Sequence, residues 1–307
     1  MNLNDTFFEW IARYWLPRYL NRANASRAFR LWEKYGYHLT LNEYYSPIPD
    51  TQQLPDKLWN TETPLVGIDM NDAGQLELLQ TVFPLYRDEY DRFPRARTDN
   101  PYEFHHDNAF FVGADAIVLY CMVRHFKPQR IVEIGSGYST RLSAQAIARN
   151  GSGAITCIEP YPDDILKSHP GVTELKSSQV QAVDLRVFES LEANDLVFID
   201  STHSIKIGGD VTFLFLEVLP RLKPGVIVHL HDIFLPRDYP RAWILEALMF
   251  SGEQYLLQAF LTFNAGYTVL FSSSYMTIRH NEAMEQAFSS YPRWKEGCSF
   301  WMRRKAG

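Results

Sequence analysis

Short apolar runs alternate with amphipathic stretches through the last two thirds of the chain. The apolar runs are rich in β-branched residues and predict strands, whereas the stretches between them have helical periodicity. The predicted strands cover residues 131–134, 154–158, 172–175, 196–199, 226–230, 267–271 and 299–303, and the helices cover residues 185–191, 210–222, 243–263 and 282–288. Because strands separated by helices form parallel sheets, we predict an α/β domain with ligands at the carboxyl ends of its strands.

The first hundred residues have a different pattern. Apolar side chains recur at helical spacing over residues 7–16, 25–35 and 71–90. Residues 44–64 are rich in Pro, Asp, Asn and Thr and predict an extended loop. Since no long or repetitive linker follows, we predict an N-terminal helical and loop cap over residues 1–100 and a single larger domain over residues 101–307.

Composition and charge argue against several classes of protein for this chain. The chain of 307 residues has a formal net charge of −6 and no clustered Lys or Arg run, which argues against a nucleic-acid partner. Its three cysteines are scattered without CxxC spacing, which favours neither a zinc site nor disulfides and fits a reducing, cytoplasmic setting. Residues 1–20 carry charged side chains and no uninterrupted apolar core, so we expect neither a signal peptide nor stable membrane insertion.

The aromatic N-terminal helix has two interpretations. Aromatic residues at helical spacing usually pack on the body of the protein or on a partner subunit, which leaves a homodimer open. A membrane-surface helix is the alternative, but the polar face lacks the lysine-rich composition of such helices.

A glycine turn follows the first predicted strand. Gly135 and Gly137 interrupt the apolar run, and helical character resumes at Thr140. Glycine permits a positive φ or a close approach of the backbone to a ligand, and the N-terminus of the next helix offers N–H groups to an anion. Nicotinamide, flavin and S-adenosylmethionine enzymes all use such a turn. Here Glu133 gives a Glu-x-Gly-x-Gly pattern, and Thr140 stands where a dinucleotide fingerprint has its third glycine.

Further polar residues stand at strand ends. Glu159 ends the second strand at a distance suited to hydrogen-bonding a ribose diol, although a solvated carboxylate is also compatible with the spacing. Asp200 follows the fourth strand, with His203 three residues later, and His231 and Asp232 end the fifth. We predict that these last four side chains converge, since parallel strands end at one edge of the sheet. For His229 we predict a structural role, with its ring packed inside the sheet.

Four segments in order resemble the motifs of class I S-adenosylmethionine-dependent methyltransferases, most closely the family 24 branch. They are residues 132–140, 158–162, 198–204 and 228–233, and the resemblance extends over roughly 108–303. It implies a Rossmann-like, mostly parallel seven-stranded sheet with an antiparallel last strand. The cofactor is then expected over the ends of the first two strands, and the acceptor near the ends of the fourth and fifth.

The resemblance also implies site residues. Those expected around S-adenosylmethionine are Glu133, Gly135, Ser136, Gly137, Tyr138, Ser139, Thr140, Glu159, Gln181 and Asp200. Methyl transfer requires an aligned acceptor and removal of the acceptor's proton. Histidine is the default base at neutral pH, so we predict His203 or His231 in that role, oriented by Asp200 or Asp232.

A divalent metal stays open as a second way to activate the acceptor. Catechol-type relatives bind magnesium through an acid after the fourth strand and an Asp-Asn pair after the fifth. Asp200 and Asp232 stand in matching places, but Ile233 occupies the Asn position. The candidate ligands are Asp200, His231 and Asp232, and histidine suits a transition metal better than magnesium.

We therefore predict an S-adenosylmethionine-dependent methyltransferase that acts on a small molecule or short peptide, at oxygen. Phe234, Tyr239 and Trp243 are the candidates for lining an acceptor pocket, because they follow the fifth strand. A nicotinamide-dependent oxidoreductase is the alternative enzyme, but Thr140 replaces its third glycine. A catalytically silent binding protein would keep the glycine turn but would not need the polar cluster.

Overall fold

The computed structural model describes residues 3–20 and 24–306, and contacts divide the chain into two compact units, Met1–Leu58 and Trp59–Gly307. Met1, at the start of the segment that we expect not to be a signal peptide, lies outside the described residues. This division falls earlier than the boundary at residue 100 suggested by the hydrophobic pattern. The interpretation of residues 1–100 as a cap stays a prediction.

The first unit is helical and irregular. Its helical segments are Leu3–Trp10, the π-helix Ile11–Trp15, Leu16–Tyr19 and Ala25–Glu33, and the 3-10 helix Asp56–Asn60 falls at the division in sequence. Residues 34–55 contain no helix or strand, in agreement with the Pro- and Asp-rich composition of the segment.

The second unit contains a seven-stranded sheet with strand order β3-β2-β1-β4-β5-β7-β6. The strands are β1 Arg130–Ile134, β2 Ala154–Ile158, β3 Glu174–Lys176, β4 Leu196–Ile199, β5 Ile227–Leu230, β6 Tyr267–Ser272 and β7 Phe300–Arg304. Strands β1 to β5 pair in parallel, and β7 is antiparallel to both β5 and β6. The predicted Rossmann-like sheet with an antiparallel last strand is confirmed.

Helices cover both faces of this sheet. The helices before β1 are Asp72–Glu77, Leu78–Val82 (π), Phe83–Tyr86 (3-10), Arg87–Tyr90 and Gly113–Phe126. Those between β1 and β5 are Tyr138–Asn150, Asp164–Ser168, Val180–Ala182 (3-10), Arg186–Glu189, Asp210–Phe213, Leu214–Val218 (π) and Leu219–Arg221 (3-10). Those after β5 are Arg241–Leu245, Glu253–Leu261, Ser273–Arg279, Asn281–Phe288 and Trp294–Glu296 (3-10). Among the described residues, no helix is long and apolar enough to cross a bilayer.

The strand register brings the site together. Ile134 of β1 pairs with Ile199 of β4, and Ile199 pairs with Leu230 of β5, so the three strands end level with one another. The strand order reverses direction between β1 and β4, and such a switch point opens a crevice at the carboxyl ends. The crevice is therefore bordered by the segments that follow β1, β4 and β5. These segments begin with the glycine turn, residue 200 and residue 231.

Two of the helices have boundaries with identifiable physical reasons. The predicted helix over 243–263 is two helices, separated where Ser251 and Gly252 favour a break. The helix that leads to β1 begins at Gly113, because the Asn108 side chain accepts hydrogen bonds from Phe110 N–H and Phe111 N–H and so stabilises a loop before it. The weak third strand lies two residues later than predicted.

Candidate active site

The glycine turn is shaped by its contact with the neighbouring strand. Gly135 has φ +75°, and a Cβ at this position would lie 1.7 Å from the Asp200 carbonyl oxygen. Only glycine fits there. At Gly137, in contrast, a Cβ would meet open space, and its N–H donates to Thr140 Oγ1 over 2.9 Å. The turn is thus packed on the β4 side and open at Gly137.

Glu133, in β1, contacts the residues that follow the glycine turn. Its side chain is fully buried, and Ser139 Oγ donates to Glu133 Oε1 over 2.6 Å. Burial raises the pKa of this carboxyl to about 7, against the opposing hydrogen bonds from Ser139 and Thr140. Ser139 and Thr140 are buried as well. These three predicted cofactor residues therefore hold the shape of the turn in the present geometry.

A cavity of about 420 Å³ opens beside the turn, at the ends of β1, β2 and β4. Four of the predicted cofactor residues line it: Gly135, Glu159, Gln181 and Asp200. Glu159 Oε1 accepts from Tyr161 N–H over 2.8 Å, and Oε2 lies 3.4 Å from Ser136 N. Gln181 Oε1 is buried and has no hydrogen-bond partner among the described residues. The cavity thus contains an unmet acceptor and a carboxylate fixed by two backbone amides.

Tyr138, another predicted cofactor residue, begins the helix after the turn. The Arg141 guanidinium lies 4.1 Å from its ring centroid, and the Phe110 ring stacks on it at 5.7 Å. Tyr138 is thereby linked to the loop that precedes helix Gly113–Phe126. In that loop His105 and His106 are buried.

The second group of predicted residues converges at the ends of β4 and β5. His203 Nε2 lies 3.2 Å from Asp200 Oδ1 and 3.2 Å from Asp232 Oδ2. His231 Nδ1 lies 3.3 Å from Asp232 Oδ1 and 3.8 Å from Asp200 Oδ1. The convergence predicted from the strand ends is confirmed for all four side chains.

Two buried carboxylates that the sequence did not single out complete this cluster. Glu253, at the start of helix Glu253–Leu261, lies 2.8 Å from His203 Nδ1. Asp115, in helix Gly113–Phe126, lies 3.5 Å from His231 Nε2. Each is an acidic residue in an otherwise largely apolar helix, and each is almost fully buried. An isolated acid on the buried face of a helix was the available signal, because a buried charge needs a partner.

Cys298, which precedes β7, lies on the same side as Asp115. Its Sγ is 3.7 Å from His231 Nε2 and 3.3 Å from Asp232 Oδ1. Burial raises the pKa of this thiol, so it is a neutral neighbour. We expected no role for Cys298 from its isolated position in the sequence.

The electrostatics of the cluster favour charged histidines. Burial alone would lower the pKa of His203, but hydrogen bonds to Asp200 and Glu253 and the charge of Asp232 outweigh it and raise this pKa to about 10. Burial is likewise overcome at His231, where the charges of Asp200 and Asp232 and the contact with Asp115 hold the pKa well above its usual value. The histidines in turn lower the pKa of Asp200 and Asp232, although the partial removal of these carboxylates from water would raise it. The cluster is a compact network of alternating charges.

Backbone strain coincides with this network. His203 has φ +56° and Asp232 has φ +57°, a region that bulky residues seldom occupy. Such conformations persist only where the surroundings enforce them, and they cluster at functional sites. At these two positions the charged contacts of the cluster accompany the unusual backbone conformation.

His229 has the structural role predicted for it. Its ring stacks on Phe198 at 4.0 Å and contacts Trp301 at 4.6 Å, and its Nε2 lies 3.0 Å from Ser299 Oγ. Complete burial holds its pKa well below the usual value. This histidine is a neutral part of the core.

A second cavity, of about 450 Å³, adjoins the cluster from the other side. Its aromatic side consists of Phe110, Phe234 and Trp243. Its polar lining includes His231, Asp232, Asp115 and Cys298 next to the cluster, and Arg293, Lys295 and Glu296. Of the three predicted lining residues, Tyr239 is absent from the lining. It is buried behind Phe234, and its hydroxyl accepts a hydrogen bond from Gln254 N–H. The predicted place of Tyr239 was wrong because helix Glu253–Leu261 covers it.

The sheet order, the glycine turn and the crevice define a class I methyltransferase fold. A family model described as "Methyltransferase domain", of methyltransferase family 24, matches residues 132–233. An uncharacterised protein from Archaeoglobus fulgidus is 34% identical over 164 residues, which cover 49% of this chain and 72% of that protein. The chain belongs to the class I S-adenosylmethionine-dependent methyltransferases, in family 24.

Solved structures of similar fold include two O-methyltransferases. The protein from Bacillus cereus, in complex with SAH, is 16% identical, with 75% of this chain and 100% of that chain covered and a TM-score of 0.41. TomG from Streptomyces achromogenes, in complex with SAM, is 15% identical, with coverages of 78% and 92% and a TM-score of 0.37. The plantazolicin methyltransferase BamL is 12% identical, with coverages of 76% and 96% and a TM-score of 0.39.

Proposed function

We propose that this enzyme transfers the methyl group of S-adenosylmethionine to an oxygen atom of a small molecule or short peptide. The observation that carries the proposal is the arrangement of two cavities around one polar cluster. Asp200 lines the cavity beside the glycine turn, whereas His231 and Asp232 line the aromatic cavity. A donor in the first cavity and an acceptor in the second would meet at these three side chains.

The residues beside the glycine turn suit the cofactor. The open space at Gly137 leaves room for the methionine part, and the Glu159 carboxylate is available to ribose hydroxyls. Gln181, whose buried oxygen lacks a partner, would face the adenine. When bound, S-adenosylmethionine supplies an electrophilic methyl group on a sulfonium. The acceptor oxygen forms a bond to that methyl carbon as the carbon–sulfur bond breaks, and the acceptor's proton must leave.

The two predicted bases have different positions with respect to the acceptor. His231 and Asp232 line the aromatic cavity, whereas His203 does not. Both ring nitrogens of His203 lie within 3.2 Å of carboxylate oxygens. We therefore assign removal of the acceptor's proton to the His231–Asp232 pair, either with the Asp232 carboxylate, whose pKa is lowered, as the direct proton acceptor or with both residues as metal ligands. His203 then acts through Asp200 and Asp232 as a positioning residue.

Titration calorimetry with the full chain tests the cofactor part of this proposal. S-adenosylhomocysteine should bind with a stoichiometry of one per chain, and NAD should bind far more weakly. Tight binding of NAD alone would replace the proposal by the oxidoreductase alternative. Failure of both ligands to bind would refute the proposal, whereas binding of S-adenosylhomocysteine without methyl transfer to any acceptor would favour a catalytically silent binding protein.

A transfer assay tests the acceptor class. The full chain is incubated with methyl-labelled S-adenosylmethionine and separate pools of phenols, aliphatic alcohols, amines and short peptides. Label stable to mild base and located on an oxygen atom by mass spectrometry is the expected product. Label found on nitrogen or carbon would contradict the assignment to oxygen.

We also propose a cytoplasmic protein that binds no nucleic acid and forms a homodimer. Three free, buried cysteines support a reducing compartment, and the net charge of −6 opposes binding to phosphate backbones. Phe7, Phe8 and Trp10 of the first helix are more than half exposed, which supports a partner for the helix. Light scattering of the full chain should give twice the monomer mass, and a monomer mass would refute the dimer.

A further inference from the structure

The polar cluster contains a metal-ligand set that magnesium does not suit. One oxygen of Asp200, one oxygen of Asp232 and a ring nitrogen of His231 all lie within 4.8 Å of one another. Magnesium demands oxygen ligands, whereas imidazole suits zinc, iron, cobalt and their neighbours. We infer that Asp200, His231 and Asp232 bind a transition-metal ion of this class in preference to magnesium. The inference rests on the proposed function in placing the acceptor oxygen beside that ion.

The spacing of the donor atoms supports one shared ion. Two ligand atoms bound at about 2.1 Å to a single ion lie about 3.0 to 3.4 Å apart in octahedral or tetrahedral geometry. His231 Nδ1 lies 3.3 Å from Asp232 Oδ1 and 3.8 Å from Asp200 Oδ1. The Asp200 side chain is 31% exposed, so it has room to move the few tenths of an ångström that would bring its Oδ1 to such a distance from His231 Nδ1. Three protein ligands would leave positions open toward the aromatic cavity.

Asp115 gives His231 the orientation that a metal ligand needs. A metal-bound histidine usually donates its other ring N–H to a carboxylate, which fixes the ring and its tautomer. Here the other nitrogen is Nε2, and Asp115 Oδ2 lies 3.5 Å from it. Asp115 is itself held by Ser273 Oγ–H, Cys298 N–H and Ser299 N–H, at 2.6, 2.7 and 3.1 Å. This arrangement leaves Nδ1 on the side of Asp200 and Asp232.

Glu253 and His203 hold the two carboxylate ligands in the same way. His203 Nε2 contacts Asp200 Oδ1 and Asp232 Oδ2, and Glu253 lies behind its Nδ1. The Asp232 oxygen that faces His231 is Oδ1, so His203 and an ion use different oxygens of this residue. At Asp200, Oδ1 faces both His203 and His231, so this oxygen would be shared between the ion and His203. Asp115 thus orients the ligand His231, and Glu253, through His203, orients the ligands Asp200 and Asp232.

A competing set consists of Asp115, His231 and Cys298. With His231 included, the two Asp115 oxygens have four polar neighbours, which matches the roughly four lone-pair sites of a carboxylate. An ion bound there would have to displace hydrogen bonds that the backbone fixes. The set that contains Asp200 and Asp232 has the more exposed carboxylates and both cavities beside it.

Calorimetry on chelator-treated full-length protein tests the inference. Zn²⁺ and Co²⁺ should each bind at one per chain, about 100-fold or more tighter than Mg²⁺. Equal or tighter binding of Mg²⁺, or no binding of Zn²⁺ and Co²⁺ at one per chain, would overturn it. S-adenosylhomocysteine is titrated into the same metal-free sample. If it binds while the metals do not, only this inference fails; if it does not bind, the proposed function fails.

Variants test the ligands separately from the fold. His231→Ala should weaken Co²⁺ binding about 100-fold or more, and Asp115→Asn about 10- to 100-fold. His231→Asp, which makes an all-oxygen set, should shift the preference toward Mg²⁺. Each variant must still bind S-adenosylhomocysteine, which shows that it is folded. Unchanged Co²⁺ affinity in a folded His231→Ala or His231→Asp variant would overturn the assignment.

The Co²⁺ spectrum distinguishes the two ligand sets. Binding through Asp200, His231 and Asp232 should give d–d bands without a thiolate charge-transfer band, and Cys298→Ser should leave the spectrum unchanged. A charge-transfer band that disappears in Cys298→Ser would overturn the ligand assignment in favour of the competing set.

Discussion

The two halves of the crevice are built in different ways. The half beside β1 and β2 comes from contiguous sequence: Glu133, Ser139 and Thr140 support a glycine turn that lies within eight residues of the chain. The half beside β4 and β5 gathers His203, His231 and Asp232 with Asp115 and Glu253, which are far away in sequence. The first half is held mainly by backbone shape, and the second by buried charges. We expect the two halves to respond differently to substitution.

The largest expected effect lies in the half built from charges. His231→Ala should lower kcat by about 10²- to 10⁴-fold, since it removes a group that handles the acceptor's proton. The dissociation constant of S-adenosylhomocysteine should stay nearly unchanged, because the cavity beside the glycine turn does not include His231. Labelled methyl transfer and calorimetry measure the two quantities. Replacement of the exposed His38 by Ala is the control, and normal turnover of His231→Ala would remove this residue from the chemistry.

In the half shaped by the backbone, Gly135→Ala should lower the free energy of unfolding by about 3 to 5 kcal/mol. The new Cβ would lie 1.7 Å from the Asp200 carbonyl oxygen, at a φ of +75°. Gly137→Ala is the matched control, since its Cβ meets open space. It should change stability much less and mainly weaken cofactor binding. Equal loss of stability in both variants, measured by urea unfolding, would contradict the described turn.

The raised pKa of the Glu133 carboxyl predicts that the free energy of unfolding depends on pH. Its pKa is raised from 4.5 to about 7 in the folded protein, so the folded state holds a proton that the unfolded state has lost between these values. This group's contribution is fully present below pH 4.5 and is lost as pH rises through about 7, by about 3 kcal/mol in all. Glu133→Gln should flatten this part of the curve. An identical slope between pH 5 and pH 8 in the variant would show that another group is responsible; the exposed Glu285→Gln is the control.

The smallest effect is expected at Glu159. Glu159→Ala should weaken S-adenosylhomocysteine about 10- to 100-fold, because one or two charge-assisted hydrogen bonds are lost. Turnover at saturating cofactor should change little, which is the reverse of His231→Ala. Glu285→Ala, on an exposed helix face, controls for loss of a carboxylate. An unchanged dissociation constant would exclude Glu159 from the cofactor site.

The difference between the halves also explains what could be predicted from the sequence. The glycine turn and the positions of Asp200 and Asp232 follow from local patterns and from the rule that parallel strands end at one edge. The seven-stranded sheet with its antiparallel last strand was implied by the resemblance to the methyltransferase motifs. Asp115, Glu253 and Cys298 could not be predicted, because their place depends on how distant helices and β7 pack over the sheet. Tyr239 was misplaced for the same reason, since the position of helix Glu253–Leu261 is not encoded in any local periodicity.

The raised pKa values of the two histidines in the cluster could not be predicted from the sequence either. A histidine near its ordinary pKa was the natural base to predict, but His203 and His231 have carboxylates on both sides, which raise their pKa. Only the three-dimensional arrangement shows which of the two faces the aromatic cavity. The same arrangement shows Asp115 and Glu253 orienting their rings.

A crystal structure of the full chain with S-adenosylhomocysteine tests the central claim most directly. The account predicts the ligand in the cavity beside Gly135 and Gly137, with its ribose hydroxyls on Glu159 and its sulfur facing the aromatic cavity across Asp200. A ligand bound elsewhere, or one whose ribose lies away from Glu159 with its sulfur remote from His231 and Asp232, would contradict the proposed division between donor and acceptor halves.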